Sequence, residues 1–419
     1  MITHKLNIKI YKDIFANILT LTINIIAPLV LIPILTSTLG LDSYGNYMAM
    51  MGLVALCVVL TDLGFGMYLS KEVSIQGDDL GKISIFFTAY IIVKTVMSLF
   101  FLFVLYLLLP DIIDTNKYII LFLLWLLYIN LSIKPVPFYN GLEKYTLLSK
   151  VDISGKVILI VLVLLLDFSE YGFEKAIAVQ IVSAAFINCF LLYFLIKKSK
   201  LQFTVVSKEI IIKIIIKIIK SSFGFYSARL FANVYNQSST YLVSLVLKSE
   251  LVAAYAIGIQ LYKVGQSLIA AIAQVLYTRT VKSKNLKLVL KITIIVLILQ
   301  FVCFPVVYYW GEDLIGFILN VSSIEVAQAA SVFYISLMFV TVASFWGYPV
   351  MVAIERERYA HYGVFFGSIA YFIMFGFGYL FFEFDLFFAV LCILIADMCS
   401  CILRIYFSQK FITKKMLFR

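Results

Sequence analysis

The sequence predicts an all-α polytopic membrane protein, with about twelve transmembrane helices in two six-helix lobes. Three observations predict it. Of 419 residues, 63% are hydrophobic and only 14% charged, whereas soluble chains run nearer half apolar and a quarter charged. The apolar residues come in runs of about 20, the length that crosses a bilayer core. They do not come in the alternating segments of about ten that build a transmembrane β-barrel. Finally, the lysines and arginines sort to one side once the runs are counted.

Taken in order, the spans are 14–37, 45–69, 84–109, 117–134, 148–166, 174–196, 222–247, 250–278, 288–310, 326–353, 361–382 and 386–408. The first follows MITHKLNIKIYKD and is too long for a signal-peptide h-region, so it reads as an uncleaved helix. With a cytoplasmic N-terminus, the odd-to-even connections carry only Lys117, Lys175 and Lys248, and Lys94, Lys156, Arg229 and Lys263 fall inside spans. The other lysines and arginines lie on even-to-odd connections, tails or helix ends, which puts both termini in the cytoplasm. The formal charge of +11 then describes a cationic rim facing anionic lipid. It is not the one-sided basic face of a nucleic-acid binder. The longest external connection, YWGEDLIGFILNVSSIE, is itself apolar, so no extracellular catalytic or binding domain is expected.

A linker at 200–221 separates lobes at 1–199 and 222–419. Its Lys213, Lys217 and Lys220 recur at i, i+4 and i+7 among isoleucines, the pattern of a basic amphipathic helix lying on the inner leaflet. Six helices per lobe give both lobes one orientation, so a duplication would be parallel. YGNYMAMMGLVALCVVLTDLGFGMYLSK (44–71) and YAIGIQLYKVGQSLIAAIAQVLYTRTVK (255–282) align without gaps, sharing only the framing tyrosine and lysine. Such an architecture suits a transporter with its substrate path between the lobes.

The sequence offers little for other chemistry. The six cysteines all fall in apolar runs without CxxC spacing, so neither a disulfide nor a metal site is expected. His4 and His361 are far apart. There is no GxxxxGK[ST] phosphate loop and hence no ATP site; energy would come from a proton or sodium gradient.

Polar residues at membrane depth carry the functional reading. In YSARLFANVYNQSSTYLVSLVL (226–247), Arg229, Asn233, Asn236 and Thr240 share one helical face, with Gln237 on its flank. In the next span Gln260, Lys263, Ser267 and Gln274 share a face, and the first offers Asn17, Thr20, Asn24 and Pro28. A charge at this depth costs at least about 2.5–3.5 kcal/mol, so it normally faces a bundle interior or a wet cavity. Lys94, Arg229 and Lys263 outnumber the intramembrane acids Asp62 and Asp397, and Asp152 and Lys156 are spaced to neutralise each other. The positive, amide-rich balance suits a substrate bearing phosphate and many hydroxyls. Each cation has a bland reading as half of an ion pair, for instance Lys94 with Asp62. Asp397 is either an ion carrier or the partner of an unidentified basic group. Gly363 and Gly367 form a GxxxG, the usual sign of close helix packing.

The stretch LGLDSYGNYMAMMGLVALCVVLTDLGFGMYLSKEVS (39–74) resembles the N-terminal signature of bacterial O-antigen and polysaccharide flippases of the Wzx type. The matching residues are Leu39, Gly40, Tyr44, Gly45, Tyr47, Asp62, Leu63, Gly64, Phe65, Gly66, Lys71 and Glu72. Pro135, Gly141, Leu142, Glu143 and Lys144 match a second family segment, and 252–279 resembles the family's eighth helix, with Thr278 where a proline is frequent. The resemblance implies a MATE-like fold of the MOP superfamily in the bacterial inner membrane. It also implies translocation of an undecaprenyl-pyrophosphate-linked oligosaccharide from the inner to the outer leaflet, in lipopolysaccharide biosynthesis, beside an O-antigen polymerase and a chain-length regulator. On that reading Arg229, Lys263 and Lys94 hold the pyrophosphate. Asn233, Asn236, Gln237, Gln260, Gln274 and Asn24 contact the glycan, and Asp397 and Asp62 couple to an ion. A MATE-like antiporter of small molecules is the alternative within the fold. An O-antigen polymerase, a glycosyltransferase, is the alternative from another class.

Overall fold

The computed structural model describes residues 2–62, 64–77, 79–108, 117–166, 168, 172–204, 209, 212–213, 215–217, 220, 235–321, 323–356 and 358–411. Among them all regular structure is helical. The helices are α1 (Ile2–Asp62), α2 (Phe65–Gln76), α3 (Leu80–Leu108), α4 (Lys117–Ser132), α5 (Val136–Gly141), α6 (Tyr145–Leu165) and α7 (Gly172–Lys197). They continue as α8 (Ser249–Ser283), α9 (Leu286–Leu319), α10 (Ile324–Trp346), α11 (Tyr348–Ala353), α12 (Arg358–Phe381) and α13 (Leu386–Phe411). Nine described segments are long and apolar enough to cross a membrane. The first of these, Thr22–Asp62, contains the kink at Gly40 (φ 77°), so it holds the first two sequence-derived spans. The fifth, α6, stays out of that set because Lys150, Asp152 and Lys156 interrupt it. Half of the seventh, 222–247, lies outside the described residues.

One expectation is corrected. The stretch read as an external loop after 310 is helical: α9 runs on to Leu319, and α10 begins at Ile324 with Ser323 accepting from the Val326 amide. The segment is apolar enough to continue the helix, and Asn320 in the left-handed region (φ 53°) ends it.

The chain forms two compact units. One comprises Met1–Leu39 and Met50–Asn233; the other comprises Gly40–Ala49 and Val234–Arg419. The first unit packs an aromatic core in which Phe65, Phe87, Tyr90, Phe138 and Tyr139 are buried. Phe87 and Phe138 meet edge to face, centroids 5.3 Å apart. The segment 201–204 runs along α3, the Gln202 and Thr204 amides donating to the Ser84 and Thr88 hydroxyls. Lys213, Lys217 and Lys220 of the linker are exposed.

In the second unit the YGNY motif is a docking segment. A Cβ at Gly45 would stand 1.8 Å from the Ser249 carbonyl oxygen, so only glycine lets these backbones touch. Ser249 Oγ donates to Asn46 Oδ1 at 2.9 Å, and Tyr44 and Tyr47 are buried around the contact.

Each unit repeats one helix–break–turn–helix device. Helices α5 and α11 start 212 residues apart, and Pro137 and Pro349 sit at matching places in them. The Leu142, Glu143 and Lys144 amides donate to the Phe138, Asn140 and Tyr139 carbonyls in the same pattern in which the Ile354, Glu355 and Arg356 amides donate to those of Val350, Val352 and Met351. Glu143 (φ 52°) and Glu355 (φ 61°) both take the left-handed conformation that closes the turn. Gly155 and Gly367, again 212 apart, let α6 approach α7 and α12 approach α13. The GxxxG is therefore a packing device: a Cβ at Gly363 or Gly367 would strike Arg404 Cγ or the Ala396 carbonyl. Together these matches mark an internal duplication with an offset of 212 residues.

Candidate functional site

Two polar clusters lie inside the units. In the first unit Lys94, on α3, is 3% exposed. Its Nζ donates to the Thr61 carbonyl at 2.9 Å and lies 5.9 Å from the ring centroids of Phe65 and Tyr90. Thr61 is in the last turn of α1, whose terminal carbonyls have no helical donor. A buried cation there satisfies one of them and complements the helix dipole. Asp62 is close enough to interact electrostatically with Lys94. The structure thus brings two sequence-derived candidates together at the break before α2, where Gly64 is left-handed.

The second unit holds Asp397, on α13 and 4% exposed. Tyr262 Oη donates to its Oδ2 at 2.5 Å and Ser336 Oγ at 2.6 Å. Gln266 Nε2 donates to Tyr262 Oη at 2.7 Å, extending the chain along α8. Arg404, two turns on along α13 and 7% exposed, is a basic group within electrostatic reach of Asp397, with no ion pair between them among the described residues. Its Nη1 donates to the Ala343 carbonyl at 2.6 Å, in the last turn of α10, and its Nη2 to Ala360 at 3.4 Å. Its seven-residue offset from Asp397 puts both on one helical face, a signal that was available. Tyr262, Ser336 and Gln266 carried none, because a hydroxyl or amide on an apolar helix is unremarkable until packing brings it to a carboxylate.

The other candidates are placed as follows. Lys263 is half-buried on α8, with Gln260 half-buried and Gln274 exposed along the same helix. Its ammonium makes no hydrogen bond or ion pair among the described residues. Asn236 is half-buried beside the buried Ser238 and Ser239, while Gln237 and Asn24 are exposed. Arg229 and Asn233 lie outside the described residues. The expected Asp152–Lys156 neutralisation does not form; Asp152 pairs with Lys134 at 2.6 Å. The break between α4 and α5 folds Lys134 back onto α6, a tertiary contact that helical spacing cannot foresee. Among the described residues all six cysteines are free, and no group of His, Cys, Asp and Glu could hold a metal ion.

The model of a family described as polysaccharide biosynthesis protein matches residues 10–282. None of the curated proteins compared matches the chain. Solved structures do. The lipid II flippase MurJ, in an inward closed conformation, is 13% identical over 98% of this chain and 89% of its own, with a TM-score of 0.69. An inward-facing multidrug resistance MATE transporter of the MOP superfamily is 15% identical over 92% and 93%, with a TM-score of 0.63. A MOP superfamily transporter from Pyrococcus furiosus, described as having a binding pocket of reverse polarity, is 13% identical over 96% and 95%, with a TM-score of 0.53. At these identities the likeness establishes the fold.

Proposed function

This chain belongs to the polysaccharide biosynthesis protein family, and on that premise we propose that it is a lipid-linked oligosaccharide flippase. It moves undecaprenyl-pyrophosphate-linked repeat units of O-antigen or a related polysaccharide from the inner to the outer leaflet of the bacterial inner membrane. Movement is by alternating access, without ATP. The MATE-type fold and its likeness to a lipid II flippase support a transporter of lipid-linked substrates.

The observation that carries the reading is Lys263. An ammonium at this depth without a counter-ion among the described residues is a standing cost unless an anion joins it. Gln260, Ser267 and Gln274 offer donors and acceptors for sugar hydroxyls along the same helix. Arg229, with Asn233, Asn236 and Gln237, supplies a second cation and amides. Lys94 serves the pyrophosphate less directly, since its Nζ already holds the Thr61 carbonyl.

Asp397 couples transport to a proton or a sodium ion. Among the described residues its two hydrogen bonds fall on Oδ2, which leaves Oδ1 to take the ion. Loading it changes the charge facing Arg404, and unequal affinity for the ion in two conformations is what shifts one to the other.

The test is transport of a lipid-linked oligosaccharide into vesicles under imposed ion gradients, with protein level checked. Lys263→Ala and Arg229→Ala are each expected to lower the rate at least tenfold, about 1.4 kcal/mol. Wild-type rates in both would remove the phosphate-binding reading. Arg229→Lys separates charge from bidentate geometry.

A further inference from the structure

The first unit holds a cation that the proposed mechanism does not use. With the Asp152 carboxylate taken by Lys134, Lys156 lies within electrostatic reach of both. It forms no ion pair or hydrogen bond among the described residues. Two lysines therefore share one carboxylate, leaving an excess positive charge in a largely enclosed place: the Lys134 and Asp152 side chains are 26% and 17% exposed.

The duplication supplies an internal control on what the fold needs. At the positions 212 residues on stand Trp346, Val364 and Ser368, none of them charged. The break, the left-handed glutamate and the glycine contact form there all the same. These three charges are thus not required by the backbone they sit on, yet their excess carries a desolvation cost. Asp152 lies about 10 Å and Lys156 about 16 Å along α6 from Tyr145 at 1.5 Å per residue.

We propose that Lys156, with Lys134 beside it, forms a binding site for a phosphate group, and that Asp152 is an internal anion with which the phosphate competes for Lys134. An ammonium offers three donors, and phosphate oxygens accept charge-assisted bonds that a neutral hydroxyl cannot match. The phosphate belongs either to the pyrophosphate of the lipid-linked substrate, in which case the site rests on the function proposed above, or to a phospholipid headgroup.

The experiment measures binding of inorganic pyrophosphate to the full chain in nanodiscs of zwitterionic lipid. Lys156→Gln is expected to weaken binding about tenfold, the scale of losing one charge-assisted contact. Lys156→Arg should stay within about threefold, since the charge is kept. Asp152→Asn should tighten binding, because a competing anion is removed. Unchanged affinity in a monodisperse Lys156→Gln protein overturns the proposal. So does weakening by Asp152→Asn, which would make the carboxylate and the lysines one scaffold. Repeating the titration with phosphatidylglycerol in the nanodisc separates the sources. Competition assigns the site to headgroups, and unaltered binding assigns it to the substrate; either result supports a phosphate site. A chain that binds pyrophosphate through Lys156 but moves no lipid-linked oligosaccharide loses the proposed function and keeps this site.

Discussion

The α4–α5 break and the α10–α11 break follow one backbone plan but are held in different ways. In the first unit, Tyr90 from α3 shares its hydroxyl between the Ser132 and Lys134 carbonyls, at 3.1 and 3.0 Å. In the second, Arg404 from α13 donates to the Ala343 carbonyl at 2.6 Å. A neutral hydroxyl satisfies stranded carbonyls at little electrostatic cost. A guanidinium does the same while placing a charge in the interior, and that charge stands on one face with Asp397. Where the break needs only a donor, tyrosine suffices. Where a carboxylate is also to be held in the interior, the donor is a cation. On the helices that Gly155 and Gly367 touch, Ser183 and Ile187 answer to Ala396 and Ser400, so Ala184 stands where the second unit has Asp397 and Leu191 where it has Arg404. The duplicated scaffold was therefore charged differently in its two copies.

The largest expected effect breaks this contrast at its charged end. Arg404→Ala strips both the α10 cap and the cation near Asp397, and thermal unfolding of purified protein should show a loss of about 3–5 kcal/mol. Arg404→Ala combined with Asp397→Asn should recover part of it. No recovery would mean that the two residues are not coupled. Next in size is the glycine pair. Gly367→Ala drives a Cβ to 2.8 Å from the Ala396 carbonyl, backbone that cannot easily give, whereas Gly155→Ala meets the Ile187 side chain. The first should cost about 1–3 kcal/mol and the second less, and the reverse order would contradict the packing described.

Tyr90→Phe should cost about 1 kcal/mol, one net hydrogen bond, and so much less than Arg404→Ala. The smallest effects should be equal in the two units. Glu143→Gly and Glu355→Gly relieve a left-handed residue and should each change stability by under about 1 kcal/mol in the same direction. Opposite signs would show that the two turns are not the same device.

The particular residues show where legibility in the sequence stopped. Apolar runs and the sorting of lysines revealed the class and most spans, since length and hydropathy are local properties. Lys94 and Asp62 could be paired on paper because they flank neighbouring helices. Lys134 could not be matched to Asp152, because their meeting depends on how the chain folds back at Pro135 and Pro137. Tyr262 and Ser336 stayed invisible for the same reason, as each comes to Asp397 from a different helix. The turn repeat was present in the letters, Pro137 with Glu143 and Pro349 with Glu355, but it is too sparse to recognise until equal backbone bonds align it.

By itself the sequence determined that this chain lives in a bilayer and where most of its membrane-length apolar segments fall. Those follow from transfer free energies, which each segment meets alone. Only the tertiary structure decided which charges are paired. Asp152 turns to Lys134, Asp397 is held by two hydroxyls near Arg404, and Lys156 and Lys263 form no ion pair among the described residues. Ion pairing is settled within about 4 Å, a distance that helix packing sets and residue spacing along a chain does not.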